Sequence, residues 1–274
     1  MGKKQNVSFI ASNADRPNRQ QFYHDFFDRV GGLELDFTFS HSGDHSYNEI
    51  DKADLVALDL TEIDDGIADS LRYAIDNHKQ TFGHWSNGLR DGVSPFIRRV
   101  SHYRGHRSYY GDNGDLFSEF DNWYKESTPG LQKRILEDKD ATYGCVKISQ
   151  IIPTSISNAQ IWVKNGAIQT SVSELGAGVG RDHGRHATRD QFIDFLKENR
   201  MWDWLGQKTE GHDEARNNSE TTRSAFATLI GNGTIPSYAI PKTDRIKIPR
   251  LGLQAFMQNR FMYVDEKGRI IERE

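Results

Sequence analysis

Asp54-Leu-Val-Ala-Leu-Asp-Leu60 runs directly into Thr61-Glu-Ile-Asp64-Asp65-Gly66-Ile-Ala-Asp69-Ser70-Leu-Arg-Tyr-Ala-Ile75. The first segment is apolar on both faces of an extended chain, the pattern of a strand buried inside a parallel sheet. The second changes period: Ile67, Leu71, Ala74 and Ile75 recur at helical spacing, so a helix opens near Gly66. A buried strand feeding a helix through an acidic, glycine-containing turn is half of a βαβ unit. It carries Asp64 and Asp65 to the strand's carboxyl end and leaves Gly66 for close approach of a backbone or ligand.

The flanking sequence repeats that alternation. Val7-Ser-Phe-Ile-Ala-Ser12 reads as a first strand, and Gln20 to Val30 as a helix with Phe22, Phe26, Phe27 and Val30 inward, stopped by Gly31-Gly32. Leu33 to Phe39 alternates as a second strand, Tyr47 to Ala53 is a short helix, and Gln80 to Trp85 is a further strand. Leu116, Phe117, Phe120, Trp123 and Tyr124 resume helical spacing. Strand and helix in alternation imply right-handed crossovers and an α/β, doubly wound, mostly parallel Rossmann-like sheet. Ligands in such sheets bind beyond the carboxyl ends of the strands, which directs attention to Ser12, to Asp44 and to Asp64–Gly66.

A chain of 274 residues is long for one core, so two domains are expected, 1–128 and an α+β domain over 131–274, with Pro129-Gly130 as the linker. A net charge of -4 gives no global attraction to phosphate backbones or anionic lipid. The single cysteine, Cys145, excludes an intrachain disulfide and a cysteine-rich zinc site, and fits a reducing, cytoplasmic setting. It stands in an alternating run and reads as a small core residue. No secretory signal and no membrane span is apparent.

The segment Ala53 to Ala74 resembles the nucleoside 2-deoxyribosyltransferase family, in which a strand opening on Ala-Asp leads to Asp-x-Gly-Thr-x-x-Glu-x-Gly-x-Ala at the head of a helix. Ala53-Asp54, Asp64, Gly66 and Tyr73-Ala74 fit that pattern, and the resemblance spans roughly residues 5 to 125. It implies a nucleoside or nucleotide in the mouth of the sheet, no cofactor or metal, and an active site completed by a neighbouring subunit in a homo-oligomer. Three positions depart from it: Ile67 replaces the threonine, Arg72 the second glycine, and Ser70 the catalytic glutamate. That glutamate attacks the anomeric carbon, which needs an ionised carboxylate. Asp69 is the nearest replacement, although one residue along a helix turns a side chain by about 100°.

The expectation is therefore an enzyme acting on an N-glycosidic bond, a deoxyribosyltransferase or an N-glycoside hydrolase. Asp64 and Asp69 are the candidate catalytic residues, and Ser12, Asp44, Asp65, Gly66, Ser70, Arg98 and Arg104 the substrate-binding ones. The alternative is an inactive nucleotide-binding or nucleic-acid-modification accessory protein, which accounts directly for Ser70. Residues 98–110 are the one concentrated basic and aromatic segment, suited to phosphate and local nucleic-acid contact.

His41, Asp44 and His45 read as a solvated turn more readily than as a metal or base site. Downstream, Tyr143 to Ile152 and Ala159 to Val172 read as strands, and Thr188-Arg-Asp-Gln191 as the capping box of a helix burying Phe192, Phe195 and Leu196. Residues 206–222 read as polar and exposed. Gly176-Ala-Gly-Val-Gly180 with Arg181, His183 and His186 reads as a flexible loop with some capacity for an anion, the basis of a third possibility in which the C-terminal half holds the main activity. No internal repeat is apparent.

Overall fold

The apolar runs of the N-terminal half form five strands, β1 (Gln5–Ala11), β2 (Leu35–His41), β3 (Leu55–Asp59), β4 (Gln80–Ser86) and β5 (His106–Tyr110). They lie in the order β2-β1-β3-β4-β5 with every neighbouring pair parallel. The computed structural model describes residues 4–11, 17–30, 33, 35–41, 46–60, 65–86, 106–110, 113–139, 141–152, 154–172, 185–241, 243, 245–264 and 270–272.

Helices α1 (Pro17–Val30), α2 (Ser46–Lys52) and α3 (Asp65–Asp76) connect the first four strands, α4 (Asn113–Glu126) follows β5, and together they cover both faces. On one face Val7, Phe9, Leu55 and Phe82 pack against Tyr23, Phe26 and Val30 of α1 and Leu116 and Phe120 of α4. On the other, Ile10, Val56 and Leu58 pack against Ile50 of α2 and Ile67, Leu71, Ala74 and Ile75 of α3. The fold is the doubly wound α/β sheet expected, and β3 is buried at every position because helices cover it on both sides. The strand order reverses direction between β1 and β3, so the crevice at their carboxyl ends is the topological switch point.

The chain divides into two units, Met1–Lys125 with Leu251–Glu274, and Glu126–Arg250. The second opens with α5 (Thr128–Glu137), then β6 (Thr142–Tyr143), α6 (Cys145–Ile151), α7 (Ile156–Lys164), β7 (Ser171–Val172), β8 (Arg185–Thr188) and α8 (Arg189–Glu198). It continues with β9 (Thr209–Gly211), α9 (His212–Asn218), α10 (Arg223–Gly231), β10 (Tyr238–Ala239) and β11 (Ile246–Pro249). The chain then enters α11 (Arg250–Phe261) and the hairpin β12 (Met262–Val264) and β13 (Ile270–Glu272).

Several readings of this half are corrected. Pro129-Gly130 is the first turn of α5, where proline costs no hydrogen bond and Ser127 Oγ accepts from Gly130 N at 3.1 Å. Tyr143 to Ile152 is mostly α6, because Cys145, Ile148 and Ile151 are buried at helical spacing. Ala159 to Val172 is mostly α7, with Ala159, Trp162 and Val163 inward. Residues 206–222 are structured, and Glu210 and Ser219 within them are buried. The capping box at Thr188 and Gln191 is present as read.

A repeat is also present. The order strand, helix, helix, strand, strand, helix occurs twice, from β6 to α8 and from β9 to α11, and both sheets run first-third-second and antiparallel.

Candidate functional site

Asp59 ends β3, the central strand, at the switch point, and is 2% exposed. Strand register sets His84 of β4 directly opposite it, so both side chains stand on the α1 face of the sheet. His84 is closed to solvent, with Nδ1 3.8 Å from Asp59 Oδ1. Tyr23, carried over that face by α1, donates its hydroxyl to Asp59 Oδ2. Phe9 of β1 floors the cluster, stacked on the His84 ring at 5.4 Å and edge-on to Tyr23 at 5.1 Å.

A buried carboxylate is costly unless a donor holds it, and here a phenol and an imidazole both face it. The arrangement is a fixed acid, base and donor set at the root of the mouth, able to hold a proton or brace a polar ligand. The sequence reading passed over it because Asp59 interrupts an otherwise apolar run. A lone carboxylate inside a strand apolar on both faces was the available signal.

After β3 the chain enters α3. Asp65 is its first residue, and Gly66 is half-buried. Ser70 is fully buried, on the inward face with Ile67, Leu71 and Ala74. Asp69 lies on the adjacent face, half-buried, where Arg72 donates from Nε at 3.0 Å. Arg72 also meets Asp76 at 3.3 Å, and Gln258 of α11 donates to the Arg72 carbonyl at 3.1 Å and to Asp76 Oδ1 at 2.8 Å. The three departures from the resembled motif thus have structural uses: Ile67 and Ser70 fill the core, and Arg72 links a polar flank.

Two matched positions are structural as well. Asp54 Oδ2 accepts from Asn6 N at 2.9 Å at the amino end of the sheet, away from the mouth. Tyr73 stacks on Tyr47 at 4.4 Å and donates to Asp51 at 2.9 Å, joining α3 to α2. Ser12, Asp44, His45, Asp64, Arg98, Arg104, the Gly176 to Gly180 turn, Arg181 and His183 lie outside the described residues. His41 ends β2, and residues 106–110 form β5. The structure therefore brings Asp59, Tyr23 and His84 together, and holds Asp69 apart from Ser70.

No family model matches the chain, and no curated protein matches it in sequence. Among solved structures it is similar to the CMP N-glycosidase BcmB of Clostridium botulinum, with a TM-score of 0.36 and 12% identity over 43% of this chain and 98% of that one. A 3-dehydroquinate dehydratase-like protein from Bifidobacterium longum gives 0.32 and 12%, over 43% and 94%. A hydroxyethylthiazole kinase protein from Pyrococcus horikoshii OT3 gives 0.28 and 11%, over 99% and 94%. Values this low define no residue correspondence. Among the described residues no helix is long and apolar enough to cross a membrane.

Proposed function

We propose that the N-terminal unit binds a nucleoside or nucleotide at the switch point and hydrolyses its N-glycosidic bond. The observation that carries this reading is the buried Asp59 carboxylate, held by Tyr23 and faced by His84 at the carboxyl end of the central strand. In the reaction the bond from the anomeric carbon to the base nitrogen breaks, a water oxygen bonds to that carbon, and the base leaves with a proton.

Asp64 is assigned to the sugar or to activation of the water, with Ser12, Asp44, Asp65, Gly66 and Ser70 shaping the pocket and Arg98 and Arg104 meeting a phosphate. Direct hydrolysis needs a base and a water; a retaining route assigns the nucleophile to Asp69. The ion pair of Asp69 with Arg72 favours the direct route. A homo-oligomer belongs to this reading through the resembled family, and sedimentation of the purified protein measures it.

The test is release of free base from a panel of nucleosides, nucleotides and NAD, resolved by chromatography. Release that Asp64→Asn abolishes and Asp69→Asn largely spares supports direct hydrolysis, whereas loss with Asp69→Asn moves the reading to the retaining route. No release from any member of the panel overturns it.

A second reading, nucleotide binding without turnover, is favoured by one observation: fully buried Ser70 occupies the position that the resembled family gives to glutamate. A rise in melting temperature with a nucleotide and no released base selects it.

A further inference from the structure

Within the second unit, which holds both copies apart from the closing helix α11, the repeat is more than a similar order of elements. A shift of 67 residues superposes Thr142 on Thr209, Gly144 on Gly211, Asn165 on Asn232, Gly166 on Gly233 and Ile168 on Ile235 without a gap. Structural roles follow the same shift. Gly144 and Gly211 precede the first helix of each copy. Ser155 and Thr222 cap the second, accepting from Asn158 N and Ala225 N.

Asn165 and Asn232 end the second helix, and Gly166 and Gly233 follow it at φ of 69° and 79°. The closing bonds also correspond: Gly166 N donates to Val163 O as Gly233 N does to Ile230 O, and Ile168 N to Trp162 O as Ile235 N does to Leu229 O. Ile148 and Ala215, Ala159 and Phe226, and Ile168 and Ile235 are fully buried pairs. In each copy four residues join the two helices, the connection length of a helix-turn-helix, and an antiparallel hairpin follows; α6 and α7 pack closely on one another, whereas α9 and α10 touch little.

Both copies turn the same positions of the second helix to solvent. In α7, Ser157, Ile161 and Lys164 are exposed; in α10, Ser224, Thr228 and Gly231. Gln160 flanks the first set, and Arg223 the second, also exposed. A face kept merely wet would carry carboxylates at the chain's own frequency of 39 in 274, yet residues 141–172 contain no Asp or Glu and do contain Lys147 and Lys164. That depletion is the first copy's alone: residues 208–239 hold Glu210, Asp213, Glu214 and Glu220, although α10 itself carries no acid.

Hydroxyl, amide and cationic side chains beside one exposed isoleucine are the set that reads base edges and thymine methyls in a major groove while pairing with phosphates. We propose that the second unit is a tandem of two helix-turn-helix modules that binds double-stranded DNA, each copy laying its second helix, α7 or α10, into the major groove. This stands whether or not the N-terminal unit cleaves an N-glycosidic bond.

The experiment is fluorescence anisotropy of the full chain with a labelled random-sequence duplex at low salt, followed by selection from a random duplex pool. Binding to the unselected duplex is expected to be tightest at low salt and to weaken steeply to a Kd on the order of 10⁻⁴ to 10⁻⁶ M at physiological salt, and the pool is expected to yield a preferred sequence. Lys164→Glu with Arg223→Glu is expected to weaken binding at least about tenfold, with the melting temperature unchanged. Lys52→Glu in the other unit leaves it unaltered.

Should the double variant fail to fold, Gln160→Ala with Thr228→Ala is the second arm, and it is expected to reduce preference for the selected sequence while leaving random-duplex binding intact. The proposal is overturned if no duplex binds, if the folded double variant binds like the parent, if the second arm leaves selectivity unchanged, or if single-stranded DNA or RNA binds more tightly than duplex.

Discussion

Asp59 and His84 face each other across the β3–β4 ladder, closed to solvent, with Nδ1 3.8 Å from the carboxylate. Tyr23 supplies the carboxylate's hydroxyl donor. Tyr23→Phe keeps the ring and deletes that donor, so it is expected to cost about 1–3 kcal/mol of stability, the range for stranding a buried acceptor. Denaturant unfolding measures the cost. Base release should fall together with the bond, and a stable Tyr23→Phe protein with full base release would remove this cluster from the functional reading.

Gly206 and Gly233 both adopt left-handed backbone, at φ of 69° and 79°, in different surroundings. A Cβ at Gly206 would lie 2.3 Å from the Glu126 carbonyl oxygen and 2.7 Å from Leu131 Cδ1, whereas one at Gly233 meets nothing within 4 Å. Gly233→Ala is expected to cost about 1–2 kcal/mol, the conformational penalty alone. Gly206→Ala should cost clearly more, because backbone must also move. Equal midpoints for the two variants in urea would contradict this.

Burial raises the Tyr238 hydroxyl to about 12, from 10.0 for an ordinary phenol, with a hydrogen bond to Thr209 opposing the rise. The folded state thus keeps its proton where the unfolded state loses it. Stability from this group is complete below pH 10.0 and is lost as pH climbs towards about 12. Tyr238→Phe is expected to flatten that alkaline limb, followed by melting temperature between those pH values.

Asp76 has its carboxyl raised above 3.8, chiefly by burial, while the Arg72 charge and the Gln258 hydrogen bond pull it down. A raised carboxyl makes folding less favourable as pH increases from 3.8 through the folded value, after which the penalty stays constant. Gln258→Ala removes a donor to the ionised form, so it should cost about 1–3 kcal/mol at neutral pH and less in acid. An Asp76→Asn background should abolish that difference.

The N-terminal unit was legible because its apolar periodicity is strong: Leu55 to Leu58 is buried on both faces, and Ile67, Leu71, Ala74 and Ile75 recur at helical spacing. The second unit was not. Cys145-Val-Lys-Ile-Ser-Gln-Ile-Ile is rich in β-branched residues and alternates locally, and the glycine before it offers no side-chain cap, so propensity favoured a strand where packing makes a helix. The duplication is faint in the sequence because the copies share turn residues and burial rather than side-chain identity. In the candidate site, the acidic turn at Asp64-Asp65 attracted attention, while Asp59 was absorbed into the strand that delivers it.

The closing helix α11 contributes Ala255 to the core beneath α3, and Gln258 bonds to that helix. The N-terminal unit is therefore discontinuous in the chain and unfinished until Leu251–Glu274 has left the ribosome. During translation its sheet waits, lacking part of one face, while the whole intervening unit emerges from the ribosome. A released chain truncated at Arg250 should consequently leave the N-terminal unit sensitive to protease, and the released 274-residue chain should protect it.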